Sequence, residues 1–217
     1  DSGDIAYLSI KAREMLDAAG YQDMQIMASN SLDEYLVRDL LNQGAQIDSF
    51  GIGERLITSK SEPVFGGVYK LVAVEDENGE IVPKIKVSEN VEKITTPHFK
   101  QVYRFYDKLT GKALGDVLTL RDEVINEEQP YMLFHPIHTW KKKIVTDYVV
   151  KPLQVQLFDK GECVYTCPPI QEVRQFCHDQ IETLWEQIRR FENPQTYYVD
   201  YSTKLWRVKN ALLEAVQ

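Results

Sequence analysis

A chain of 217 residues with 43% apolar side chains has room for one large domain or two modest ones, and material for a real core. Its formal charge of −8 argues against a nucleic-acid or polyanion-binding surface. No run of ~18 apolar residues is present, so no membrane-spanning helix is expected, and three cysteines, an odd number, predict a reducing, cytoplasmic compartment and no disulfide scaffold.

Asp1-Ser2-Gly3-Asp4 precedes a helical pattern in which Ile5, Leu8, Ala12, Met15 and Ala19 recur three to four apart. Asp4 or Ser2 is placed to cap it, and Gly20 to end it. Met24–Ala28 reads as a strand with Ser29-Asn30-Ser31 as its exit loop. A second helix carries Leu32, Tyr35, Leu36 and Leu40 on one face; Ser31 and Glu34 have capping-box spacing, and Gly44 closes it. Ile47, Ser49 and Phe50 then end a short buried strand, which Gly51 and Gly53 break. Residues 1–58 thus alternate loop, helix, strand, loop, helix, strand, loop.

Such alternation predicts parallel strands with crossover helices, as in a β/α barrel, where function collects at the strand C-terminal ends. The loops Asp1–Asp4, Ser29–Ser31 and Gly51–Glu54 all fall at such ends. Two and a half β/α units cannot close a barrel, so the chain reads as a fragment of a larger one.

From residue 66 the character changes. Strands are expected over Val68–Val74 and Ile81–Val87, joined through the hairpin signal Asn78-Gly79. More follow at Gln101–Tyr106, Val117–Leu120, Tyr131–Phe134 and Val149–Phe158, with a turn at Asp107–Lys112. This stretch reads as an antiparallel second layer. Ile170–Phe191 is the strongest helical pattern, with Ile170, Val173, Cys177, Ile181, Leu184, Ile188 and Phe191 in one stripe. Tyr197–Tyr201 is extended, and Ser202 caps a last helix with Leu205, Val208, Leu212 and Val216 inward. The expected division is 1–66 for the β/α units, 67–169 for the β-rich flank and 170–217 for the helical end.

Several groups of residues are candidates for chemistry. Gly51 and Gly53 let backbone N–H groups face a phosphate with no Cβ in the way, although such a pair is also an ordinary tight turn. Asp1 and Asp4, with Ser2 and Gly3, suit ribose hydroxyls or a Mg²⁺ bridging phosphates; a helix cap is the plain alternative for Asp4. Ser29 and Asn30 have groups for a phosphate or a hydroxyl. Cys163, Cys167, Cys177 and His178 allow zinc by spacing, or a cysteine serving as a small core residue. His135 and His138, followed by Trp140 and Lys141–Lys143, read as a metal pair, a catalytic base, or a strand-end turn with a solvated basic run.

Asp1-Ser2-Gly3-Asp4, Ala28–Asp33, Ser49–Gly53, Gly67–Val72, Lys86–Asn90, Glu92–Thr95, Lys100–Arg104 and Ser202-x-Lys204-Leu205-Trp206 occur in the order and spacing of one family. Across all 217 residues the chain resembles the C-terminal half of nicotinate phosphoribosyltransferases. The resemblance implies an α/β protein: part of an irregular, TIM-like β/α barrel, followed by an antiparallel β-rich flanking domain and C-terminal helices. It implies a type II phosphoribosyltransferase of NAD biosynthesis that joins nicotinate to phosphoribosyl pyrophosphate, with ATP as co-substrate and Mg²⁺. It also implies a homodimer with active sites completed across the interface. Asp1 and Asp4 would be catalytic, lying by the ribose and the pyridine end of the site. Asp1, Ser2, Gly3, Ser29, Asn30, Gly51 and Gly53 would bind substrate, the last four holding the 5′-phosphate, with Glu54 and Thr58 beside them; no residue is assigned to a metal. Glu54 departs from the threonine of many members, and Thr58 is a candidate for the missing hydroxyl. The family's phosphorylatable histidine matches none of His98, His135, His138 or His178. Two other readings of the chain are a nicotinamide- or quinolinate-specific relative, and a non-catalytic fragment that binds ribose phosphate or dimerises.

Overall fold

The structure, a computed structural model, describes residues 3–215. The chain divides into two compact units, Asp1–Val68 and Tyr69–Gln217.

The first unit contains α1 (Ile5–Ala18), β1 (Met27–Ser29), α2 (Glu34–Asn42), β2 (Ser49–Gly51) and the single turn α3 (Glu54–Ile57). Asp4 caps α1 by accepting from the Tyr7 amide at 2.8 Å. Asp33, not Ser31, caps α2, accepting from the Leu36 amide at 2.8 Å. An aspartate directly before the first turn outcompetes a serine two residues further out, because only the Ncap side chain reaches the N2 and N3 amides. β1 and β2 pair in parallel, Met27 with Ser49 and Ser29 with Gly51. Asp48 starts that pairing: its carboxylate accepts from the Ile26 amide at 2.7 Å. The core gathers Ala6, Leu32 and Leu40 with Ile5, Val37, Ile47 and Phe50.

The expected apolar stripe of α1 is only partly inside. Ala6 and Ser9 are its buried residues, while Met15 is 74% exposed. Ser9 is tolerated there because its hydroxyl is satisfied, donating to the Ala6 carbonyl and accepting from the Gln46 amide. Among the described residues this unit shows one parallel pair of strands and no closed barrel.

The second unit is built on a mixed sheet. The hairpin β3 (Ala73–Glu75) and β4 (Ile81–Pro83) turns through Gly79, whose φ of +83° suits a residue without Cβ. Then follow β5 (Lys100–Asp107), β6 (Ala113–Leu120), β7 (Tyr131–Phe134), β8 (Lys142–Val145), β9 (Tyr148–Pro152), β10 (Phe158–Asp159), β11 (Glu162–Cys163), α4 (Ile170–Thr183), β12 (Val199–Tyr201) and α5 (Thr203–Glu214). The four-stranded order is β12-β6-β5-β9, antiparallel except for the parallel β12–β6 pair. Every strand pair within residues 67–169 is antiparallel, as expected; β12, from the segment beyond them expected only as extended, adds the parallel edge.

The β5–β6 turn is a local device. Asp107 accepts from the Leu109 and Thr110 amides and the Thr110 hydroxyl, which holds its carboxyl below the usual range, the Thr110 amide most of all. Phe105, Val117, Leu133, Val145 and Tyr148 form the core, one from each of β5 to β9. Tyr148 Oη lies 2.9 Å from the carbonyls of Asn126 and Gln129 and ties the loop before β7 to that core. Ser202 caps α5 as expected; Leu205 is fully buried, and Trp206 Nε1 donates to the Pro136 carbonyl at 2.9 Å.

Helix α4 differs most from expectation. It stops at Thr183, where Leu184 turns extended, and it has no buried residue. Ile170 is 70% and Phe176 66% exposed, and Cys177 is exposed too, so it is not a core cysteine. Periodicity reports that a helix has an apolar face, not that anything covers it.

Asp200 on β12 is 6% exposed and its Oδ1 has no hydrogen-bond partner. Burial pushes its carboxyl up to about 6. The native state thus holds this proton more tightly than the unfolded chain, whose ordinary value is about 3.9. Stability contributed here is fully present below about pH 4 and is lost as pH rises towards about 6. Asp200→Asn is expected to gain on the wild type, by up to about 3 kcal/mol, between pH 4 and pH 7. Urea unfolding of both proteins at the two pH values measures this; an equal difference at both would remove the effect.

Candidate functional site

Three strand-end or helix-leading loops of the first unit hold most of the expected site residues. Asp1 and Ser2 lie outside the described residues. Gly3 and Ser29 line one cleft of about 300 Å³, together with Ile5, Leu8, Ser9 and Ile26. Ser29 ends β1 directly beside Gly51 at the end of β2. A Cβ on Gly51 would sit 3.2 Å from Ser29 Oγ and 3.3 Å from its Cβ, so the glycine is what lets the two strand ends lie this close. Gly51 therefore completes β2 and does not break it.

Asn30 and Ser31 follow at φ +129° and +48°. Positive φ at two consecutive residues that carry a Cβ is a costly backbone, held by its surroundings. Those surroundings include the Asp33 cap and an ion pair in which Arg55 Nη1 donates to Asp33 Oδ2. The Leu36 amide first, and Arg55 after it, hold the Asp33 carboxyl below its ordinary range. One aspartate therefore joins the loop after β1 to the helix after β2. Sequence reasoning missed this role; the signal was an Asp one residue before the helix, with an Arg after the second glycine.

Gly53 is the Ncap of α3 and offers no side-chain cap, in contrast to Asp4 and Asp33 on α1 and α2. A Cβ at Gly53 would meet nothing within 4 Å. Of the first-turn amides, the Leu56 N–H is already engaged, donating to the Gly53 carbonyl at 3.0 Å. The Glu54 carboxylate pairs with Lys60 Nζ at 3.2 Å, which offsets its charge, though both side chains are well exposed. The Thr58 hydroxyl donates to the Glu54 carbonyl at 2.6 Å, so its proton is engaged within α3. Of Asp4, one oxygen is committed to the α1 cap. Gly3 with Ser29, and Ser29 with Gly51, are thus brought together; Gly53, Glu54 and Thr58 follow on α3 and do not line the cleft.

Among the described residues no group of three or more His, Cys, Asp or Glu side chains is placed to hold a metal. Cys163, Cys167 and Cys177 are all exposed. His135 Nδ1 accepts from the amides of Ile137 and His138, and its ring stacks on that of His138 at 4.9 Å; it shapes the β7–β8 connection. Lys100, from one of the quoted motifs, donates to the carbonyls of Thr96 and His98 at 2.7 Å each and so holds the 96–98 turn. No helix of the described residues is long and apolar enough to cross a membrane.

Comparison with known proteins shows the family of the chain. The family described as nicotinate phosphoribosyltransferase C-terminal domain matches residues 99–209. The nicotinate phosphoribosyltransferase of Bacillus subtilis is 43% identical over the whole of this chain and 44% of its own length. That of Dictyostelium discoideum is 32% identical over the whole chain and 38% of its own length. A crystal structure of human nicotinic acid phosphoribosyltransferase superposes with a TM-score of 0.72 and 24% identity, covering 98% of this chain and 39% of the human one. The chain spans less than half the length of these relatives. With the family match over residues 99–209 and whole-chain likeness to its named members, the chain belongs to the nicotinate phosphoribosyltransferase family and corresponds to its C-terminal part.

Proposed function

We propose that the chain serves a nicotinate phosphoribosyltransferase, which forms nicotinate mononucleotide and pyrophosphate from nicotinate and phosphoribosyl pyrophosphate, with ATP as co-substrate. The observation that carries the reading is the side-by-side placement of Ser29 and Gly51 at parallel strand ends, in a chain of this family. Residues 1–66 would be closing β/α units of an irregular barrel, 67–169 its β-rich flank and 170–217 a helical end. A homodimer belongs to the same proposal.

Displacing pyrophosphate from ribose C1 builds positive charge on the sugar, so catalysis is mainly positioning and electrostatics. Ser29, Asn30, Gly51 and Gly53 would hold the 5′-phosphate through backbone N–H groups and the Ser29 hydroxyl. Gly3 would border the sugar, and Asp1 and Asp4 would place carboxylates by the ring. Ser2 would hydrogen-bond substrate, with Glu54, held by Lys60, and Thr58 next to the phosphate. Mg²⁺ belongs to the same proposal; one Asp4 oxygen is committed to the α1 cap and Glu54 pairs with Lys60, so neither is assigned to hold it. No step is assigned to a metal on these residues.

Gly53→Val is expected to raise the apparent KM for phosphoribosyl pyrophosphate by about 10-fold or more, since a side chain would fill space that no protein atom uses. Initial rates against that substrate test it, and an unchanged KM would remove Gly53 from the phosphate site. The intact enzyme should also prefer nicotinate to nicotinamide; equal turnover in a competition assay would contradict the assignment.

A further inference from the structure

A cavity of about 410 Å³ lies in the second unit, far in sequence from the loops of the proposed phosphoribosyl site. Its apolar walls are Leu114, Leu133 and Tyr198; its polar lining is His135, Lys141–Lys143 and Asp200. A second cavity of about 310 Å³ shares Leu114, Lys143 and Tyr198 with it and extends to Trp185 and Gln195. Together they form one trough of the size that holds a cofactor-sized ligand.

The lining combines two chemistries. Asp200 is 6% exposed, and its Oδ1 has no partner, an arrangement that costs stability unless something donates to it. The three lysines are exposed, and they form a local basic run on a chain of net charge −8. A free metal cation would be repelled by the lysines, and inorganic phosphate by the carboxylate. A ligand with N–H donors on a flat apolar body and an anionic tail satisfies both.

We propose that this trough binds a nucleoside phosphate, its base donating N–H groups to Asp200 and its phosphates lying against Lys141–Lys143. Guanine suits the carboxylate best, because its N–H and amino groups donate in parallel to two oxygens, where adenine offers its amino group alone. Tyr198, 40% exposed, offers a ring face for the base or ribose.

Titration calorimetry of the intact protein with GTP, guanosine and inorganic tripolyphosphate tests this. GTP should bind, and tripolyphosphate should bind more weakly. Asp200→Asn, which replaces an acceptor oxygen by a donor, should weaken GTP by about 10-fold or more while leaving tripolyphosphate unchanged. Lys141→Glu with Lys143→Glu, at exposed positions where folding is not at stake, should weaken GTP and reduce its salt dependence. Gly53→Val should not alter GTP binding, which separates this site from the proposed phosphoribosyl site. The proposal falls if GTP does not bind at millimolar concentration, if both sets of variants bind it like the wild type, if tripolyphosphate binds as tightly as GTP, or if Gly53→Val abolishes GTP binding.

Discussion

Phe105→Ala is expected to destabilise the second unit by about 3–5 kcal/mol, a large part of the stability of an ordinary domain. Phe105 is fully buried at the middle of β5, and its ring lies 4.9 Å from those of Tyr131 and Tyr148. Val117, Leu133 and Val145 complete its surroundings, so truncation leaves a void bounded by four other strands, none of which can collapse into it independently. Burial pushes the phenols of Tyr131 and Tyr148 up, as expected for rings in the same apolar cluster. Phe105→Leu should cost markedly less, about 1 kcal/mol, because most of the volume is kept. All three tryptophans, Trp140, Trp185 and Trp206, lie in this unit, so urea unfolding followed by their fluorescence reads it specifically. A loss below about 1 kcal/mol for the alanine variant would mean that the core relaxes around the gap and that Phe105 is not its centre.

Asp116→Ala should be about as damaging, at about 3–5 kcal/mol, for an electrostatic reason. Asp116 receives Arg104 Nε at 2.8 Å and Nη2 at 3.0 Å, and the Tyr197 hydroxyl at 2.8 Å. The Arg104 and Asp116 side chains are only 19% and 9% exposed. Asp116 raises the Arg104 pKa, but arginine is charged at any ordinary pH even without that partner, so removing Asp116 leaves a largely buried cation unpaired. The test is a cycle: Asp116→Leu with Arg104→Met should recover much of the loss of the single aspartate variant, since replacing a buried pair with apolar groups is tolerated far better than breaking it. If the double variant is no more stable than the single one, the charge is not the cause. Tyr197 immediately precedes Tyr198, so this clamp also fixes one wall of the trough proposed to bind a nucleoside phosphate.

The resemblance read from the motifs agrees with the family to which the chain belongs, and the expected alternation of helices and strands is the one the structure has as far as β2, after which the short α3 stands where a loop was expected. These were legible because caps, turn residues and hydrophobic periods act over a few residues. Asp4 before Ile5, Ser202 before Thr203 and Asn78-Gly79 each decide their local backbone with little help. The competing choice of Ser31 over Asp33 failed for a reason of the same scale, a cap position misjudged by two residues. The candidate loops were found in the same way, but their mutual geometry was not. That Ser29 faces Gly51, that Arg55 reaches Asp33 and that Glu54 pairs with Lys60 all depend on strand register and on side chains 6 to 22 residues apart.

By itself the sequence determined the family, the order of the elements, their caps and turns, and which short loops carry polar groups at strand ends. Tertiary structure decided burial and partnership. It left the apolar face of α4 bare, placed β12 parallel to β6, and buried Asp200 beside a run of lysines that reads in the sequence as a solvated face. The division has one physical cause. Hydrogen bonds within a turn or cap are local, whereas desolvation of a side chain is set by whatever distant segments pack against it.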